Sequence, residues 1–221
     1  MRQNDPGALS ALLGAYASGG LTEPLHALVA SHLALSPGSR RFVAALEDFC
    51  AQEMADASPV AAPAKSRDAK SRDARLAAIF AQEAAPAAPP FADDVFPAPL
   101  RALIGLAAEK VPWRIVLPGI REHRLPSGGG GEAKLYRIAA GRRLPAHTHE
   151  GSEITLVLRG AFSDSTGHFS RGDIAIADAD LDHHPTADAG EDCICFAVTD
   201  APLRLTGPVG RWINPLLRAR P

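Results

Sequence analysis

Apolar residues recur at helical spacing through the N-terminal part of the chain and at alternating positions through the C-terminal part. Leu9, Leu12, Leu13 and Tyr16 form one stripe, and Gly19-Gly20 stops it. A second helix begins with Thr22 as N-cap and Glu23-Pro24 in the first turn. Its stripe is Leu25, Leu28, Val29, His32 and Leu33. A third starts near Ser36-Pro37 and is expected to bury Phe42, Val43, Leu46, Phe49 and Cys50. Leu76, Ile79 and Phe80 mark a fourth. Each helix has a single apolar stripe, so none is stable alone; they pack on one another or on a partner.

Beyond residue 95 the chain turns Gly- and Thr-rich and strand-like. Ala84-Ala85-Pro86-Ala87-Ala88-Pro89-Pro90 separates the two regimes as an extended, rather stiff linker. An earlier break, with Pro59 and Pro63, precedes a short tandem repeat, Lys65–Ala69 and Lys70–Ala74, which reads as a solvated helix face or loop. The pattern therefore predicts an α+β protein of two domains. Four helices occupy residues 1–85, the Ala/Pro linker residues 86–94, and an antiparallel β-barrel residues 95–221.

One stretch of the second half fixes chemistry by spacing. From Gly141 to Gly160 it reads G-x5-H-x-H-x3-E-x6-G, with a further histidine at His183. On a strand, side chains at i and i+2 share a face, so His147 and His149 point together. Glu153 has the same parity, just past the Gly151-Ser152 turn. Ile154 to Leu158 supply β-branched and aliphatic residues before Gly160 turns the chain. Imidazoles and a carboxylate in this pattern are metal ligands.

Composition narrows the function classes. Over 221 residues the formal net charge is −2, which gives no general electrostatic grip on nucleic acid. Three cysteines make no disulfide framework and fit a reducing compartment. The N-terminus lacks a basic-then-apolar leader, and no apolar run is long enough to span a bilayer. A cytoplasmic protein without membrane contact is expected.

Several of these segments resemble a known family. His147–Glu153, Gly172–Asp178, Asp182–Pro185 and Asp192–Cys195, together with Leu12–Gly19 and Ser31–Leu35, are similar to ChrR-type anti-sigma factors. The resemblance spans nearly the whole chain. It implies an N-terminal anti-sigma helical domain joined to a C-terminal cupin. It further implies that the protein holds an extracytoplasmic-function sigma factor inactive and releases it under singlet oxygen or a related oxidant. A small-molecule or oxidant effector acting at the cupin belongs to the same implication. The metal ligands become His147, His149, Glu153 and His183. His183 is preferred to His184 because the family pattern is D-x-H-x-P, here Asp182-His183-x-Pro185, and neighbours on a strand face opposite ways. The donor set suits zinc, iron, manganese or nickel, and the resemblance leans toward zinc.

In one respect the chain departs from the family. The family's helical domain binds zinc through a histidine near the N-terminus and an H-x3-C-x2-C motif. Here His32 keeps its place, but Ser36 and Ser39 stand at the cysteine positions, and no histidine precedes His26. Hydroxyls are poor zinc ligands, so no zinc is expected in the N-terminal domain and His32 becomes a packed residue.

Cys193 and Cys195 share a strand face and are expected to pack in the core, with oxidant sensing as the other role. His26, His123 and His168 have no partner at ligand spacing; Trp113, Phe196 and Trp212 are core aromatics. The alternative function is a cupin metalloenzyme of dioxygenase or isomerase type, with Glu150 or Asp173 as general base. The helices favour the regulator, since a cupin enzyme has no need of about 85 amphipathic residues.

Overall fold

The computed structural model describes residues 6–58, 69–81, 93–126, 131–179, 181–201 and 203–206. Trp212 and the first copy of the tandem repeat up to Asp68 lie outside them, as does the core of the Ala/Pro linker.

Four helices form where the stripes predict them: α1 (Pro6–Ala17), α2 (Glu23–Leu35), α3 (Pro37–Asp56) and α4 (Ala69–Phe80). Their boundaries follow from local chemistry. Gly19 takes φ 72° after α1, a conformation that disfavours any residue with a Cβ. Ser36 is extended, with φ −113° and ψ 98°, as a residue before proline must be. It ends α2 and caps α3, its hydroxyl accepting from the Ser39 N–H. Thr22 occupies the N-cap of α2 but makes no side-chain cap hydrogen bond; Pro24 sets the first turn instead.

A fifth helix, α5 (Ala98–Ile104), was not anticipated. At seven residues it is too short for a periodic stripe to show. Proline marks its start, and Gly105 ends it in the left-handed conformation. Asp93 anchors the segment before it: one carboxylate oxygen accepts from the Val95 and Phe96 N–H groups and the other from Ala108 N–H.

The strands are β1 (Arg114–Leu117), β2 (Ile120–Leu125), β3 (Glu132–Ile138), β4 (His147–His149), β5 (Glu153–Arg159), β6 (Ala161–Asp164), β7 (Gly167–Ser170), β8 (Ile174–Ala177), β9 (Thr186–Ala187), β10 (Cys193–Thr199) and β11 (Leu203–Leu205). They form an antiparallel six-stranded sheet in the order β1-β2-β3-β10-β5-β8, a three-stranded sheet β7-β6-β9 and a ribbon β11-β4. The expected barrel is thus realised as a cupin-like set of separate sheets. Hydrogen bonding among the described residues does not close it.

Alternation along the central strands divides two cores. Leu135, Leu156, Leu158, Ile194 and Phe196 face the helices, where they join Leu12, Leu13, Leu28, Val29, Leu33, Val43, Phe96 and Leu100 in one apolar cluster. Ile138, Val157, Cys193 and Cys195 face the other way and meet Phe162, Phe169 and Ala187 of the small sheet. Strand β10 is therefore apolar on both faces, which explains its unbroken run Cys-Ile-Cys-Phe-Ala-Val. Each fully buried Leu, Val or Phe in these clusters contributes about 1.5–3 kcal/mol relative to exposure.

Among the described residues α1 and α2 lie on the sheet, α3 packs on α1 and α2, and α5 packs on α2, whereas α4 is exposed along residues 73–81. The third stripe also needs correction. Val43 is buried and Leu46 half-buried, but Phe42, Phe49 and Cys50 are exposed. An amphipathic stripe looks the same in sequence whether it meets its own chain or another.

Candidate metal centre

Strand β4 starts at His147, whose backbone N–H and C=O both pair with His183 at 3.0 Å. This antiparallel bridge is continued by Leu144 N–H to Pro185 O and Ala187 N–H to Arg142 O. Directly opposed residues bring their side chains close on one face. The two imidazole rings accordingly lie 4.4 Å apart, tilted by 56°, and both residues are buried. Glu153 enters from the first position of β5. His147, Glu153 and His183 each offer a ligand atom, and these atoms all lie within 4.8 Å of one another.

The loop between β4 and β5 is tightly held. Asp200 accepts from Ser152 N–H at 2.6 Å, and a Cβ on Gly151 would meet the same carboxylate. Glu153 itself accepts from the Thr155 hydroxyl at 3.2 Å.

Hydrogen bonds settle which ring nitrogens face an ion. His147 Nδ1 lies 2.8 Å from the Pro145 carbonyl oxygen, and His183 Nδ1 lies 3.0 Å from Asp164 Oδ2. Neither acceptor can donate, so both Nδ1 atoms carry the hydrogen, and in the neutral rings Nε2 is the ligand nitrogen. Two imidazole nitrogens and a carboxylate oxygen within reach of one point fit a divalent transition metal.

His149 lies two residues along β4, its backbone opposite Leu203, so it shares the parity of His147; its side chain lies outside the described set. His184 is not among the clustered ligands. It lines an open cleft of about 550 Å³ with Arg142 and Arg143.

Asp164, the partner of His183, was not singled out from the sequence. It sits at the tip of the β6–β7 hairpin, 19 residues from His183, and nothing in its spacing marks it.

Of the other singled-out residues, Cys193 and Cys195 are buried with sulfurs 3.4 Å apart. The hydrogen bond with Cys193, reinforced by burial, pushes the Cys195 thiol well up, which keeps it protonated. His26 stacks on Tyr16 at 4.7 Å, and exposed His168 pairs with Asp188 at 2.9 Å. His123 is half-buried on β2. Glu150 is exposed, and Asp173 is engaged by the Ser170 N–H and hydroxyl. Phe196 is fully buried and Trp113 packs at the edge of the same core.

His32 is buried and has both ring nitrogens engaged. Nδ1 lies 2.7 Å from the Gly172 carbonyl oxygen and Nε2 2.8 Å from the Ser39 hydroxyl. Ser36 and Ser39 complete the chain, hydroxyl to hydroxyl, at 3.1 Å. His32, Ser39 and Ser36 thus form a hydrogen-bond relay. No helix among the described residues is long and apolar enough to cross a membrane.

Comparison with known proteins agrees with this anatomy. Residues 102–202 match the ChrR cupin-like domain family. The anti-sigma-E factor ChrR of Cereibacter sphaeroides is 42% identical over 212 residues, covering 94% of this chain and 95% of the relative. A crystal structure of Rhodobacter sphaeroides SigE in complex with the anti-sigma ChrR matches with a TM-score of 0.69 at 41% identity, over 86% of this chain and 96% of that one. At that identity over nearly its full length, the chain belongs to the ChrR-type anti-sigma factors.

Proposed function

We propose that this protein binds an extracytoplasmic-function sigma factor in the cytoplasm, holds it inactive, and releases it when a metal-loaded cupin half meets an oxidant of the singlet oxygen type. The observation that carries the reading is the apolar surface that α3 and α4 leave exposed among the described residues. Phe42 and Phe49 stand exposed at i and i+7 of α3, with Met54 beyond them; Leu76, Ile79 and Phe80 stand exposed on α4. A patch of aromatic and aliphatic side chains on otherwise polar helices marks a protein interface. The relative solved with SigE supplies the class of partner.

In the cupin half, His147, His149, Glu153 and His183 would hold one divalent metal, zinc by family likeness. When bound, the metal supplies a site at which an oxidant or a small effector acts. What the chain contributes is a pair of imidazoles held through Nδ1 and one carboxylate, mostly shielded from water. Release needs only a few kcal/mol of difference between bound and free states. No turnover is required, so the protein acts as a regulator and not as an enzyme.

The test is co-purification. The full chain, co-expressed with the extracytoplasmic-function sigma factor of its own genome, is expected to form a stable complex that blocks transcription from that factor's promoters in vitro. A chain that leaves such transcription undiminished would overturn the assignment.

A further inference from the structure

We propose that Asp164 is a positioning residue for the metal centre: its buried carboxylate locks His183 as the Nδ1–H tautomer and turns Nε2 toward the point shared with His147 and Glu153. This rests on the metal reading given above.

The geometry is that of a carboxylate–histidine–metal triad. Asp164 and His183 side chains are 3% and 6% exposed, so water does not compete for the 3.0 Å contact between them. The carboxylate is itself fixed. Its Oδ1 accepts from the Thr166 N–H at 2.8 Å and from the Thr166 hydroxyl, closing an Asx turn at the hairpin tip. Oδ2 accepts from His183 Nδ1.

The two histidines thus differ. His147 leans on a neutral carbonyl, which fixes its ring and little else. His183 leans on a carboxylate, the partner that raises the basicity of a ligating imidazole.

The experiment uses the full chain in four forms: the unchanged protein, Asp164→Asn, Asp164→Ala and Thr166→Val. Two readouts are taken. Two-bond proton–nitrogen correlations on metal-free, nitrogen-15-labelled protein report the tautomer of His183. Competition with a chromophoric chelator reports the affinity for zinc.

In the unchanged protein His183 is expected as the Nδ1–H form. Asp164→Asn keeps an acceptor without the charge; it should retain that tautomer and lose zinc affinity by about 10- to 100-fold. Asp164→Ala should mix the tautomers and lose at least as much affinity, with His147 unchanged. Thr166→Val should fall between the unchanged protein and Asp164→Asn. If Asp164→Ala fails to fold, Asp164→Asn, which preserves shape, decides alone. Zinc affinity within twofold of the unchanged protein in Asp164→Asn, or an unaltered His183 tautomer in a folded Asp164→Ala, overturns the proposal. An unchanged protein that takes up no zinc overturns the metal reading itself, while the tautomer readout still shows whether Asp164 orders His183.

Discussion

His32 Nδ1 lies 2.7 Å from the carbonyl oxygen of Gly172, joining α2 to the β7–β8 turn across 140 residues of sequence. A carbonyl only accepts, so His32 donates from Nδ1 and accepts the Ser39 hydroxyl at Nε2. Gly172 has φ +93°, and a Cβ there would approach Leu35 Cβ to 3.2 Å. The helices and the sheet are therefore in direct register at this point, beyond their shared apolar core.

Removing that imidazole leaves a buried carbonyl and hydroxyl without their partner. His32→Ala is expected to lower unfolding free energy by about 2–4 kcal/mol, from the unmade hydrogen bonds plus a small cavity. The pH dependence has a definite sign. Burial, outweighing the Gly172 bond and the Asp173 charge, lowers the His32 pKa from 6.5. The unfolded chain then binds a proton more readily than the folded one, so stability is full above pH 6.5 and falls as pH drops from there toward the folded-state value. Melting temperatures at pH 7.5 and 5.5 check this: His32→Gln should show a smaller drop than the unchanged protein.

The thiols should separate cleanly. Cys50 is exposed on α3, while Cys193 and Cys195 are buried and bonded to each other. Because the reactive species is the thiolate, and the Cys195 proton is held tightly, native protein should titrate one fast thiol and expose two more only on denaturation. Three fast equivalents in the native state would contradict the packing.

How much of this could be read from the residues depended on distance along the chain. The stripes that place α1 to α4, and the glycine that stops α1, are local, and the helices fall where the stripes predict. The i, i+2 histidines and Glu153 are local too, and the antiparallel bridge then sets His183 against His147. What escaped notice depends on contacts between distant segments. Asp164 reaches His183 from another hairpin, and His32 meets Gly172 across the molecule. Phe42 and Phe49 were expected in the core because periodicity reports an apolar face without saying who covers it.

That exposed face carries a prediction of its own. Phe49 is 63% and Phe80 84% exposed, so their replacement removes little packing among the described residues. Phe49→Asp and Phe80→Asp should each leave the melting temperature within about 2 °C of the unchanged protein. Each should weaken sigma-factor binding by roughly 30-fold or more, the loss of one buried aromatic anchor at about 2 kcal/mol. Calorimetric titration measures both arms, and unaltered affinity would move the interface elsewhere.

Gly160 links β5 to β6 with φ +65°, and a Cβ there would lie 2.8 Å from the Asp192 carbonyl oxygen. Backbone, not a flexible side chain, is in the way, so relief requires the β10 approach to shift. Gly160→Ala is expected to cost about 2–4 kcal/mol from left-handed strain plus the clash. Denaturant unfolding reads it directly. Gly141→Ala, at φ +67° but with open space, should cost only about 1 kcal/mol and serves as the comparison.

Sensing and binding should be separable through β5. Glu153, Thr155 and Val157 face the metal centre and inner core, while Leu156 and Leu158 face the helices. Replacing the ligands on β4 therefore leaves the helix-facing side of the sheet untouched. The double variant His147→Ala, His149→Ala is expected to purify with less than about a tenth of the metal of the unchanged protein, since each lost ligand removes orders of magnitude in affinity. Its affinity for the sigma factor should stay within about threefold, because Phe42, Phe49, Met54, Leu76, Ile79 and Phe80 lie on elements that no ligand touches. In cells the same variant should repress constitutively and respond little to singlet oxygen. Elemental analysis, calorimetry and a promoter reporter give the three readings. Loss of sigma binding in a variant that still folds would show that the metal centre and the helical surface form a single device.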